Sequence, residues 1–270
     1  QGELRAYDLT DVVMTDTSNS VLKTVSAADT SSPTGRILSE GTTLLWDAGQ
    51  LLNARTADSR TVYASVGGNN LSRIAFTRDN VGALSSILKD PDGDNTGLID
   101  FIRGEGRDWK LGDIQHSNPV LLRPPSLYAL LMGAGYTDYA AALADRRTVV
   151  FVGANDGMLH CFDASTGEEL WGYVPQNLLS KLKNLSIRDR DTGFRALSHD
   201  SFVDGSAVVA EVQIGGAWRT VLVCGQGQGK SLSTKSGINY YFALDVTDPL
   251  NPQPLWELTA TSMGETWSIP

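Results

Sequence analysis

Carboxylates alternate through Asp90-Pro91-Asp92-Gly93-Asp94-Asn95-Thr96-Gly97-Leu98-Ile99-Asp100, and this spacing is the sharpest chemical signal in the chain. Alternate side chains of a tight loop converge on one point, and a hard cation such as Ca²⁺ gathers about six to eight oxygens there. Asp90, Asp92 and Asp94 stand at the first, third and fifth positions of an EF-hand-type loop, and Thr96 offers a backbone carbonyl. Asp100 falls at the eleventh position, whereas the standard loop carries Glu at the twelfth, and Asn95 stands in place of the turn glycine. The segment reads either as a Ca²⁺ site built from Asp90, Asp92, Asp94, Thr96 and Asp100 or as a solvated acidic turn shaped by Pro91 and Gly93.

Other chemistry-bearing residues carry less. Asp189, Asp191 and Asp200 are interleaved with Arg188, Arg190 and Arg195, the mixed pattern of a solvated loop. Gly225-Gln226-Gly227-Gln228-Gly229-Lys230-Ser231 resembles a phosphate loop, but Cys224 stands where the first glycine is needed, and no helix-forming run follows. It reads as a glycine-rich turn. His116, His160 and His199 are the only histidines, and each is expected to be a hydrogen-bonded structural residue. His116-Ser117 is adjacent in sequence, which does not define a triad. Cys161 and Cys224 both fall in strand-like runs and read as two separate buried thiols. A net charge of −9 with scattered Lys and Arg argues against nucleic-acid binding, which needs clustered cations at phosphates. No apolar run approaches the roughly 20 residues of a membrane-spanning helix.

The elements that position these residues are short strands punctuated by glycine turns. Segments 2–9, 61–76, 148–175 and 237–258 read alike. In the third, TVVFVGA, MLHCFDA and ELWGYVP are three strands joined by Asn155-Asp156-Gly157 and Ser165-Thr166-Gly167, turn residues that tolerate positive φ. Three antiparallel strands of this kind make most of a propeller blade. The fourth segment repeats the last two strands, with Asp245 in the place of Asp163 and Trp256 in that of Trp171, and a Trp there can pack between blades. Segments 202–213 and 218–225 form a further hairpin about Gly215-Gly216. Short helices are expected over 43–54, capped by Thr42 or Thr43, and over 136–146 and 177–185; residues 11–41 read as an irregular insertion. The whole of 1–270 is therefore expected to be one all-β propeller domain with helical insertions, of about four blades' worth of strands, continuing beyond Pro270.

Several runs resemble one known family. WKLGDIQHSNPVLL (109–122), VFVGANDGMLHCFDASTGEELWGYVPQNLL (150–179), FVDGSAVVAEV (202–212), WRTVLVCGQGQG (218–229) and YYFALDVTDP (240–249) are similar, in order, to the C-terminal propeller of the PilY/PilC family of type IV pilus tip adhesins. LLWDAGQLLNAR (44–55) and LIDFIRGE (98–105) fit as well. The resemblance implies a modified, quinoprotein-like β-propeller, export to the cell surface or pilus tip, minor pilins as partners, and roles in pilus assembly, retraction and adhesion without enzymatic activity. The family also carries a calcium loop that governs retraction. It is expected beyond Pro270, and its role is not carried onto residues 90–100. Two other classes share the blade pattern: a quinone-cofactor dehydrogenase, and a scaffold that assembles envelope proteins.

Overall fold

A computed structural model of the chain describes residues 2–9, 11–15, 21–26, 42–125, 133, 135–188, 192, 195–230 and 238–268. Its strands are β1 (Arg5–Leu9), β2 (Asp11–Thr15), β3 (Val21–Ser26), β4 (Thr42–Asp47), β5 (Val62–Val66), β6 (Ser72–Ala75), β7 (Val120–Leu122), β8 (Val149–Gly153), β9 (Leu159–Asp163), β10 (Glu169–Val174), β11 (Ser186–Arg188), β12 (Arg195–Leu197), β13 (Ala207–Ile214), β14 (Ala217–Gly225), β15 (Tyr241–Asp245) and β16 (Gln253–Leu258).

Two antiparallel four-stranded blades dominate. In the first, β7-β8-β9-β10 lie in sequence order, with Val149 opposite Asp163, Phe151 opposite Cys161, and Trp171 also opposite Cys161. Every residue of β8 and β9 is buried, so both faces of these strands are covered; β8 is apolar throughout, while β9 buries His160 and Asp163 among its apolar residues. The two tight turns form where the sequence placed them, with Gly157 and Gly167 at φ of 100° and 75°, a region only glycine enters without strain. In the second blade, β13-β14-β15-β16 repeat the register: Val221 faces Asp245, and Ala243 faces Trp256. Cys161 and Ala243 each lie two residues before the aspartate, so Trp171 and Trp256 hold equivalent positions.

The blades pack face to face around one core. Phe151, Trp171 and Tyr173 of the first join Leu222, Phe242 and Leu244 of the second. The Trp171 indole N–H donates to the Pro249 carbonyl at 2.7 Å, and the Tyr173 and Phe242 rings stack with centroids 6.0 Å apart. The interblade role expected of Trp171 is thus realised, while Trp256 is 39% exposed. Cys161 and Cys224 are separate buried thiols, both pushed up in pKa by burial.

The helical insertions differ from expectation in their bounds. Residues 43–47 are not helical. They belong to β4, which pairs with β1, and the helix is Ala48–Ala54, capped by Asp47, whose Oδ1 accepts the Gln50 amide at 3.0 Å. Leu45, expected on the buried face, is 59% exposed because it sits in that strand. The second insertion is helical over Tyr136–Ala142. The third splits into Gln176–Leu179 and a 3₁₀ turn, Leu182–Leu185. Within 11–41, β2 and β3 form an antiparallel hairpin. Two helices were not expected, Val81–Leu88 and Asn95–Arg103.

The 61–76 hairpin does not start a blade of its own. Strand β5 lies parallel to β10, with Tyr63 opposite Tyr173, and extends the first blade to six strands. It covers an edge whose amides and carbonyls would otherwise be open to unwanted pairing. No helix among the described residues is long and apolar enough to cross a membrane.

Candidate functional site

The acidic segment folds as the entry to a helix. Asp90 Oδ1 accepts the backbone amides of Asp92 and Asp94 at 3.0 and 3.1 Å, and Asn95 Oδ1 accepts the Asp90 amide. Asp94 is the N-cap, with Oδ1 on the Gly97 amide at 2.9 Å, where a side-chain oxygen satisfies an otherwise unpaired helix N–H. The structure therefore brings Asp90, Asp92 and Asp94 into one turn. Thr96 lies in the first turn of the helix Asn95–Arg103, and Asp100 lies further along it, ion-paired with Arg78 Nε at 2.5 Å. Two of the five expected ligands are thus drawn into or along the helix, and Asp100 is matched by a cation of the chain itself. Among the described residues, no three His, Cys, Asp or Glu side chains form a group able to hold a metal ion. Of the mixed-charge loop, Asp189 and Asp191 lie outside the described residues, while Asp200 pairs with Lys181 Nζ at 3.1 Å.

A different charge cluster runs through the first blade. His160 on β9 places Nε2 3.1 Å from both Asp156 oxygens and Nδ1 2.8 Å from Glu169 Oε1. Arg60 grips Glu169 with both arms, Nε to Oε2 at 2.8 Å and Nη2 to Oε1 at 2.7 Å, and gives Nη1 to the Arg103 carbonyl. All four side chains are fully buried, in the order Asp156, His160, Glu169, Arg60. Alternating sign makes this row electrically neutral. Burial favours the uncharged imidazole, but the two carboxylates outweigh it and lift His160 to about 9. Burial likewise opposes ionisation of Glu169, yet Arg60 and His160 hold it far below the ordinary carboxylate range. Such a row excludes water and offers no open position for a reactant, so it acts as a lock between the 60–103 segment and the blade. Sequence reading missed it because Arg60 and Glu169 lie 109 residues apart.

Each histidine is engaged. His116 Nδ1 meets Asp204 Oδ2 at 2.8 Å, and its ring lies edge-on to Trp267, while Ser117 Oγ turns away to accept the Gly153 amide. His199 Nε2 reaches Asp113 Oδ2 at 3.2 Å. The glycine-rich 225–229 stretch is a turn, with Gly227 bridging Thr266 and Gly229 pressed against the Phe202 carbonyl. A second missed feature repeats in both blades. Asp163 Oδ1 accepts the Ser165 and Thr166 amides while Arg147 pairs with its other oxygen, and Asp245 Oδ1 accepts the Thr247 amide while Arg219 reaches Oδ2 at 2.5 Å. The Ala164 amide bonds the Thr148 carbonyl as Val246 bonds Thr220. The signal was present in sequence as RTVVFVG at 147–153 and RTVLVCG at 219–225.

Several openings flank the blades. A groove of about 460 Å³ is lined by Gly67, Gly68, Gln176, Asn177, Tyr240 and Glu257. Glu257 takes the Gln176 and Asn177 amides, and Ser65 Oγ, into its carboxylate. A smaller cavity lies beside Arg107, Asp113, Asn155 and His199.

Residues 111–265 match the family described as PilY1 beta-propeller domain. The chain is 32% identical over 249 residues to the type IV pilus biogenesis factor PilY1 of Pseudomonas aeruginosa strain UCBPP-PA14, covering 83% of this chain and 20% of that protein. It is 38% identical over 212 residues to a PilY1 homolog of Xylella fastidiosa strain Temecula1, covering 70% of this chain and 15% of the homolog. The chain thus spans a fifth or less of the length of these relatives. The crystal structure of the Pseudomonas aeruginosa PilY1 C-terminal domain shares 38% identity over 46% of this chain and 21% of that one, with a TM-score of 0.33. The paired blades, the repeated aspartate turns and this sequence kinship identify the chain as a member of the PilY1 β-propeller domain family.

Proposed function

We propose that this chain is the propeller module of a type IV pilus-associated factor at the cell surface, which serves pilus assembly, retraction and adhesion by binding and not by catalysis. The observation that carries the reading is the family match over residues 111–265, joined by relatives named as type IV pilus biogenesis factors. The local chemistry supports it. His160 is sealed between two carboxylates, both thiols are buried and raised in pKa, and His116 and Ser117 face different partners. A scaffold of this kind recognises partners through loops held on rigid strands. Minor pilins at the pilus tip are the partners proposed.

The test is twofold. Co-purification of the intact parent protein with minor pilins is expected, and deleting β13 to β16 in cells is expected to reduce surface piliation and adhesion together. Unchanged piliation and adhesion in the deletion strain sinks the reading. So does turnover in a dye-reduction assay after addition of a quinone cofactor, which assigns the blades to an oxidoreductase instead.

A further inference from the structure

We propose that the outer face of the second blade is a docking face for a further blade of the parent polypeptide, latched by Trp256. A repeat shown three times carries the inference. Leu45-Trp46, Leu170-Trp171 and Leu255-Trp256 stand in β4, β10 and β16. Each Trp lies opposite the same position of its neighbouring strand: Trp46 faces Ala6, Trp171 faces Cys161, and Trp256 faces Ala243. Two of the three indoles reach the aspartate turn of the next sheet. Trp46 Nε1 donates to the Ala164 carbonyl at 3.1 Å, and its ring covers Gly167 so closely that no Cβ fits there. Trp171 Nε1 donates to the Pro249 carbonyl at 2.7 Å. Ala164 and Gly167 follow Asp163 as Pro249 follows Asp245, so both latches close on one kind of turn. Trp256 alone has no sheet ahead of it among the described residues. It is 39% exposed, against 9% for Trp46 and 1% for Trp171.

The rest of the face agrees. Side chains opposite one another in a sheet share a face, so Val208, Val223, Ala243 and Trp256 form one row, with Tyr241 and Leu258 beside it. The row points away from the first blade, because Leu222, Phe242 and Leu244, which alternate with it, fill the core between the blades. Leu258 on this outer face is 55% exposed. The equivalent row of the first blade, Phe151, Cys161 and Trp171, is covered, and what covers it is the next blade. The established interface therefore continues, by repeat, onto the bare face. A second copy of this chain does not fit the latch, since its turns at Asp163 and Asp245 already hold its own Trp46 and Trp171. A blade of the same polypeptide brings a turn of its own and arrives without the cost of bringing two molecules together.

The experiment is hydroxyl-radical footprinting, read by mass spectrometry, on the 270-residue chain and on the intact parent protein. Labelling follows exposed area. In the 270-residue chain Trp256 and Leu258 are expected to label readily and Trp171 hardly at all. In the parent, labelling of Trp256 is expected to fall about fourfold, to the level of Trp46, and that of Leu258 to fall with it. Protection by the protein's own chain persists when the parent is diluted about a hundredfold, whereas protection by a second copy is lost. Trp256→Glu, which sets a charge in the docked face, is expected to return Leu258 of the parent to the labelling of the 270-residue chain. Should that variant not fold, the two unaltered proteins decide alone. The proposal is overturned if Trp256 and Leu258 label alike in the two proteins, if dilution removes the protection, or if Leu258 stays protected in a folded Trp256→Glu parent.

Discussion

Raising the pH should unlock the first blade through one side chain. His160 is doubly hydrogen-bonded and fully buried between Asp156 and Glu169, and its pKa is lifted from 6.5 to about 9. A group whose folded pKa is raised binds its proton more tightly in the native state. Its stabilising contribution is complete below the unfolded pKa of 6.5 and disappears as the pH climbs through about 9. At about 1.4 kcal/mol per pH unit, that gap amounts to about 3 kcal/mol. The assay is urea unfolding at several pH values from about 6 to about 10, run on the native chain and on His160→Gln. Groups common to both proteins titrate alike and cancel in the difference. The native chain is expected to lose about 3 kcal/mol relative to the variant across this window, with the steepest part between pH 6.5 and about 9. Parallel profiles would refute the reasoning, because they would mean that the imidazole is neutral in the fold. A native-minus-variant stability that rose with pH would refute it more severely, since it would reverse the sign of the linkage.

The remaining predictions concern stability and metal. Arg60→Met leaves Glu169 buried without its bidentate partner and is expected to cost about 3–5 kcal/mol by urea unfolding, whereas cutting an exposed ion pair costs under about 1 kcal/mol. Trp171→Phe removes the donor to Pro249 and is expected to cost about 1–3 kcal/mol; the equivalent Trp256→Phe, half out in solvent, should cost under about 0.5 kcal/mol. Calorimetric titration with Ca²⁺ of the native chain and of Asp92→Ala tests the acidic turn: any binding there is expected to weaken by at least about tenfold in the variant, and unchanged affinity removes the turn as a site.

Much of the blade geometry was legible because local rules and tertiary packing agree there. Asn155-Asp156-Gly157 and Ser165-Thr166-Gly167 bend where turn chemistry says they must, and the interblade place of Trp171 follows from its repeat. Where a local pattern competes with a distant strand, the reading failed. Leu45 and Leu51 suggested a helical face, but pairing of β4 with β1 took residues 43–47, and Asp47 became the cap. The carboxylates at 90–100 left a Ca²⁺ site and a solvated acidic turn both open, and the spacing did not foretell that a helix begins at Asn95 and carries Asp100 to Arg78. The row from Asp156 to Arg60 was illegible in principle, because its register depends on β10 meeting both β9 and the distant 60–66 segment. The paired RTV runs were legible and went unread.

The repeat also says where recognition belongs. At one end of each blade the same clamp recurs, an aspartate closing its own turn and held by an arginine two residues before the facing strand residue. That end is spent on making blades alike. At the other end, beyond Gly153 and Gly225, the described residues share one backbone bond, Asn155 amide to Asp113 carbonyl and Gly227 amide to Thr266 carbonyl, while their side-chain bonds differ. Asn155 binds Asp113 and the Phe202 amide, Asp156 takes the Gly112 amide, His116 meets Asp204, and Gly229 presses on Phe202. These bonds tie four separate loops into one knot. Under the proposed binding role, a surface that both blades share cannot tell one partner from another, so specificity falls to the loops of the other end. The Arg107 cavity opens within that knot, walled by Gly112, Asp113, Asn155 and His199.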